Sequence, residues 1–159
     1  MTAAASTKPV VGISSCLLGQ QVRFDGGHKK DGWITGPLAD FFDFLPVCPE
    51  VGIGLGIPRP TIHLVGDPER PRAVGSRDPA LDVTAQLEAF GIAQLPRLGG
   101  LSGYILKSKS PSCGMARVPV TSPKGMPAKV GVGIYARGLM ERMPLLPVEE
   151  EGRLNDPVL

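Results

Sequence analysis

Cysteine is scarce in this 159-residue chain: there are three, Cys16, Cys48 and Cys113. An odd count excludes a fully paired intramolecular disulfide scaffold. C-x-x-C pairs are missing, so the usual spacings of structural zinc sites and of ferredoxin clusters are absent. Histidine is scarcer still, with only His28 and His63, and neither carries a ligand pattern. Ser15 has no visible base partner, so a Ser-His-Asp hydrolase finds little support. Gly131-Val132-Gly133 is not a full dinucleotide fingerprint. No uncharged apolar run reaches the roughly 18 residues of a membrane span. No apolar targeting stretch stands within Met1 to Pro9. Charge of one sign is lacking too, with 17 Lys+Arg against 15 Asp+Glu and a net charge of +2. Such a balance argues against broad capture of nucleic acid or of membrane surfaces. These absences point to a soluble cytoplasmic protein with reduced thiols, no membrane anchor and no stable nucleic-acid partner.

What the chain does have is ordinary globular usage, 42% hydrophobic and 20% charged, with 21 glycines and 17 prolines. The first two values argue against disorder. The last two argue for many loops and tight turns. The length suits one domain with one core. The expected organisation is a flexible N-terminal extension over 1–8, a single domain over 9–150, and a tail over 151–159.

Short apolar runs mark the strands. They are Val10 to Ser15, Leu45 to Cys48, Gly103 to Leu106, and Leu145 to Glu149. Ile62 to Val65 and Pro71 to Val74 read as a hairpin. Pro37 to Phe44 reads as a short helix opened by Pro37. Asp78 to Ala93 has helical spacing, with Asp78 as N-cap and Pro79 at the first position. Val130 to Arg142 reads as another helix, weakened by three glycines. Val51 to Pro60 and Val118 to Lys129 are proline-rich and read as irregular. Alternating strands and helices predict an α/β fold, Rossmann-like, with a mainly parallel sheet flanked by helices.

That fold gives the cysteines a common address. Each falls at or just past the C-terminal end of a predicted core strand, and open α/β sheets place ligands on that edge. Free cysteines are commonly small buried packing residues, but the shared placement favours a common site. Three thiolates from three loops suit a 4Fe-4S cluster with one iron left without a protein ligand. Such an iron is a Lewis acid. Glu50 follows Cys48 by two residues, and on a continuing strand the two share a face. Its carboxylate is then a candidate proton carrier. Ser108, Ser110 and Ser112 precede Cys113 and are candidates to hold a polar substrate, although turn and capping chemistry also uses serine. Arg23 and Asp25 lie on a charged loop after Cys16 and are further candidates for substrate contact. Two other readings stay open. One is a zinc- or cluster-binding structural module without catalysis, and the other is a metal-free thiol enzyme.

Five segments together carry a resemblance. They are Ser15-Cys16-Leu17-Leu18-Gly19, Arg23-Phe24-Asp25-Gly26, Cys48-Pro49-Glu50, Pro58-Arg59, and Lys107-Ser108-Lys109-Ser110-Pro111-Ser112-Cys113-Gly114. They resemble the signatures of the small bacterial thiouracil desulfurase family, long known only as a domain of unknown function. The resemblance runs from about Val10 to Tyr135. It implies a 4Fe-4S cluster held by Cys16, Cys48 and Cys113. It implies non-redox conversion of 4-thiouracil, or a related thiolated pyrimidine, to uracil with release of hydrogen sulfide. The substrate sulfur would bind the open iron. Glu50 would handle protons, and Ser110 would assist at the substrate.

Overall fold

In the computed structural model, which describes residues 7–158, the first apolar run forms β1 (Val10–Ser14). It sits inside a four-stranded sheet between β2 (Asp43–Val47) and β5 (Gly103–Leu106). β8 (Val148–Glu150) lies outside β5. All three pairings are parallel. Ser14 stands beside Val47, and Ile13 beside Ile105. The carboxyl ends of β2, β1 and β5 therefore lie on one edge.

The period-2 pattern sends alternate side chains to opposite faces. Val11, Ile13, Phe44 and Ile105 pack with Leu17 and with Ile34 of α1 (Gly32–Thr35). Leu45, Val47, Tyr104 and Leu106 pack on the other face. There they meet Leu98 of α3 (Thr84–Leu98) and Tyr135 and Leu139 of α4 (Ile134–Arg142). Gly12 has a specific reason to be glycine. A Cβ there would stand 2.5 Å from the Tyr104 ring. That ring is held by a 3.0 Å hydrogen bond between the Tyr104 and Tyr135 hydroxyls.

The remaining strands form a second sheet in the order β4-β3-β6-β7. β3 (Ile62–Val65) and β4 (Arg72–Gly75) pair antiparallel, as the hairpin reading expected. β6 (Val118–Thr121) runs parallel to β3 and antiparallel to β7 (Pro127–Gly131). Leu64, Ala73, Val118 and Val120 from this sheet meet Val83, Leu87 and Ile134. Helices α3 and α4 thus contribute to both cores: Leu87 faces one, Leu98 the other.

The α/β class and the parallel sheet flanked by helices are present. Several local expectations change. The expected single sheet is two, because Val118 to Lys129 is a hairpin and not irregular. Its prolines fit: Pro119 is exposed beside a register shift, and Pro127 opens an edge strand. The helix expected from Asp78 starts only at Thr84. Asp78 instead accepts from the Ala80 amide at 3.1 Å, a local turn that competes with helix. Val130 and Gly131 belong to β7, so the last long helix begins at Ile134. Pro37 to Phe44 shrinks to a 3-10 turn over Pro37–Asp40.

The segment expected as a tail begins with α5 (Glu151–Leu154), and Leu154 packs beside Ile13 and Ile34. Of the extension expected over 1–8, residues 1–6 lie outside the described residues. Among the described residues, no helix is long and apolar enough to cross a membrane.

Candidate functional site

Past the carboxyl edge of β2, β1 and β5 lies a cavity of about 420 Å³. That size is typical of small-ligand sites. Cys16, Cys48 and Cys113 all line it. Cys16 sits in the 3-10 turn over Ser15–Leu18 that follows β1. Cys48 directly follows β2 and precedes α2 (Pro49–Gly52). Cys113 comes from the loop after β5. The parallel register therefore converts separations of tens of residues into neighbourhood across one sheet edge.

All three cysteines are free thiols. Burial pushes the Cys16 thiol up, against the pull of the Arg23 and Lys107 charges. Burial likewise raises Cys48, with a hydrogen bond from the Val51 amide opposing. Cys113 is raised furthest, again by burial, with a hydrogen bond from the Ser14 side chain opposing. Without metal these sulfurs hold their protons, and metal binding must displace them.

The donor set suits a multi-iron cluster. Three soft thiolates are the ligands such clusters use. Among the described residues, no three or more Cys, His, Asp or Glu groups converge on a single metal ion.

Glu50 reaches the cavity by a different route from the one expected. The strand stops at Val47, and Pro49 opens a helical turn, so Cys48 and Glu50 do not share a strand face. Two side chains fix the carboxylate instead. Arg59 Nε donates to Oε1 at 3.1 Å, and Ser112 Oγ donates to Oε2 at 3.0 Å. The Arg59 and Glu50 side chains are only 4% and 15% exposed. Arg59 also donates to the Gly56 carbonyl at 3.1 Å. A carboxylate oxygen has two acceptor sites. Each oxygen therefore keeps one free to accept a proton.

The loop from Lys107 to Gly114 is bolted down along its length. Ser110 Oγ accepts from the amides of Ser112 at 3.2 Å and Cys113 at 3.0 Å. Both of its lone pairs are thereby used, which leaves its hydrogen to donate into the cavity it lines. The first turn of a helix leaves amides without intrahelical partners. At α4 the loop supplies them: Ile134 N donates to Pro111 O, and Ala136 N to Ser112 O, both at 3.0 Å. Gly133 N donates to Gly114 O at 2.7 Å. Gly133 permits this approach, since a Cβ there would lie 2.5 Å from the Ser112 carbonyl carbon. Lys109 turns the loop with φ 63, a left-handed value that costs a side-chain-bearing residue free energy.

The other sequence candidates divide. Arg23 lines the cavity, with its guanidinium 5.8 Å from the Phe24 ring centroid. Ser108 lines it as well, but its hydroxyl donates to Glu151 at 2.6 Å. Ser112 is buried behind the wall and serves Glu50. Asp25 is absent from the wall and accepts from the Gly27 amide at 2.8 Å, which is turn chemistry. Sequence reasoning missed Ser14, Phe24 and Thr61, which also line the cavity, and Glu150 and Glu151, which grip the loop. Only the acidic run Glu149 to Glu151 after an apolar strand hinted at the last two.

Comparisons with known proteins identify the family. None of the curated proteins compared with the chain matches it. A solved structure described as the 4Fe-4S-dependent thiouracil desulfidase TudS is similar at 31% identity with a TM-score of 0.70. The match covers 92% of this chain and 93% of that one. The family model described as 2-thiouracil desulfurase matches residues 11–151, which include all three cysteines together with Glu50, Glu150 and Glu151. The chain belongs to the 2-thiouracil desulfurase family.

Proposed function

We propose that this protein removes sulfur from a thiolated uracil by hydrolysis, giving uracil and hydrogen sulfide. The observation that carries the reading is the convergence of Cys16, Cys48 and Cys113 on one cavity beside a fixed Glu50 carboxylate. Cys16, Cys48 and Cys113 would hold a 4Fe-4S cluster, the cofactor on which the similar desulfidase is described as depending. When bound, that cluster supplies a Lewis-acidic iron for the substrate sulfur.

The chain's own residues do the rest. Glu50 accepts a proton from a water in the cavity, which strengthens that water as a nucleophile toward the carbon bearing sulfur. The same proton then becomes available to the departing sulfide. General acid–base help of this kind is worth about 10²–10⁴ in rate. Ser110 donates a hydrogen bond to the substrate ring. Arg23 and Ser108 line the same space and bound the substrate. The balance is one water consumed for each hydrogen sulfide released, with no net electron transfer.

The substrate is a small molecule, and the reading places the protein in the cytoplasm with neither a membrane nor a nucleic acid as partner. The sequence resemblance pointed to 4-thiouracil, and the family description names the 2-thio isomer. Anaerobic reconstitution with iron and sulfide, followed by parallel assays of uracil and sulfide from both isomers, tests the proposal. Turnover of either isomer that disappears in Cys113→Ala supports it. No turnover of either isomer by fully loaded protein would overturn it.

A further inference from the structure

The register of β8 against β5 pairs Leu106 with Glu150. The residues that follow each strand, Lys107 and Glu151, therefore emerge side by side. Glu151 then makes three contacts with the start of the loop that ends in Cys113. Its Oε1 accepts from Lys107 Nζ at 2.9 Å and from Ser108 Oγ at 2.6 Å. Its Oε2 accepts from the Ser108 amide at 2.9 Å. The Glu151 and Lys107 side chains are only 13% and 16% exposed. Glu150 adds a fourth hold, accepting from the Met115 amide at 3.0 Å just beyond Cys113. Carboxylate bonds to partly buried donors are among the stronger ones.

We propose that Glu151 is a positioning residue for the desulfuration site. It does not line the cavity. It holds Lys107 and Ser108, which do, and so sets where Ser110 and Cys113 fall, two and five residues after Ser108. The idea rests on the desulfurase reading for its catalytic consequence but on geometry alone for the anchoring. It also gives the acidic end of β8 a task that no sequence motif announces.

Glu151→Gln tests it, with Glu88→Gln on the exposed face of α3 as a control for the same charge change. Hydrogen exchange on the metal-free full-length chain reads the anchoring directly. The Ser108 amide is expected to exchange about tenfold faster or more in Glu151→Gln, and unchanged in Glu88→Gln. In the loaded enzyme, kcat/KM is expected to fall about tenfold at unchanged iron per chain, because the cysteines remain. Wild-type exchange at Ser108 in Glu151→Gln would overturn the proposal, as would loss of iron in step with loss of activity. If Glu151→Gln does not fold, Ser108→Ala removes the 2.6 Å contact from the loop side, and several-fold faster exchange is expected at the residue-108 amide, which donates to Glu151 Oε2. Unchanged exchange there refutes the anchoring. Absence of turnover by the wild-type protein would refute the desulfurase reading, and the exchange measurement would still decide the anchoring.

Discussion

Replacing Arg59 by methionine exposes how the Glu50 carboxylate is held. Methionine keeps much of the apolar stem and removes the charge. Exposed ion pairs contribute about 0–1 kcal/mol. Removing one partner of a buried pair costs about 3–5 kcal/mol, because the other charge stays desolvated. Here the two side chains are 4% and 15% exposed, so the second regime applies. Glu50 keeps some access to water through the cavity, which places the cost near the low end. Loss of the Arg59 bond to the Gly56 carbonyl adds about 1 kcal/mol. The expected destabilisation is about 3–4 kcal/mol, or a Tm lower by about 10 °C for a chain of this size. Urea unfolding of the reduced, metal-free chain, followed by circular dichroism, measures it. In a Glu50→Gln background the same Arg59→Met change should cost only about 1 kcal/mol, since no orphaned carboxylate remains. A cost below about 1 kcal/mol in the wild-type background, or equal costs in both, would refute the reasoning.

Other outcomes follow from the same contacts. Glu50→Gln is expected to keep its iron and to lose about 100-fold or more in kcat, as read by iron content and sulfide release. Gly133→Ala should displace the Cys113 loop, since its Cβ would lie within 2.8 Å of three backbone atoms of Ser112 and Cys113. Iron loading should fall, and a protein that loads normally would contradict that packing. Tyr104→Phe should cost about 1–3 kcal/mol by orphaning the buried Tyr135 hydroxyl, while Tyr104→Phe/Tyr135→Phe should cost less than the single change. Burial raises the Glu151 carboxyl, but hydrogen bonds from Ser108 and Lys107 outweigh it and hold it below its ordinary 4.5. That bond stabilises the fold above this value and is lost as pH falls through the folded pKa. The stability gap between wild type and Glu151→Gln should therefore close as pH is lowered below about 4.5, and a pH-independent gap would argue against it.

The elements that placed the thiols were legible because apolar runs are local signals. Val10 to Ser15, Leu45 to Cys48 and Gly103 to Leu106 announce buried strands by themselves, and the three cysteines lie at or past the ends of those runs. The second sheet was not legible in full. Pro119 and Pro127 read as breakers, and only the pairing of β6 with β7 shows that the first sits beside a register shift and the second at the start of an edge strand. The start of α3 was hidden because Asp78-Pro79 is equally good as a helix opening and as a turn. Glu50 was found for a reason that fails, strand alternation, while the true reason is Arg59 and Ser112. Glu151 could not be found, since its partners lie more than forty residues away and only the register of β8 brings them together.

Among the described residues the two open sheets have four outer strands, β2, β8, β4 and β7, and the free edge of β4 is partly met by Leu81 and Val83, whose carbonyl and amide bond Gly75 and Ala73. Such rims invite a second chain to add a strand. Every one is blunted. β2 carries Pro46, β7 carries Pro127 and Lys129, β4 is four residues long with an exposed Arg72, and β8 is three residues with two glutamates. Prolines, lysine, arginine and glutamates at these rims thereby oppose polymerisation by strand addition, without any further element having to cover them.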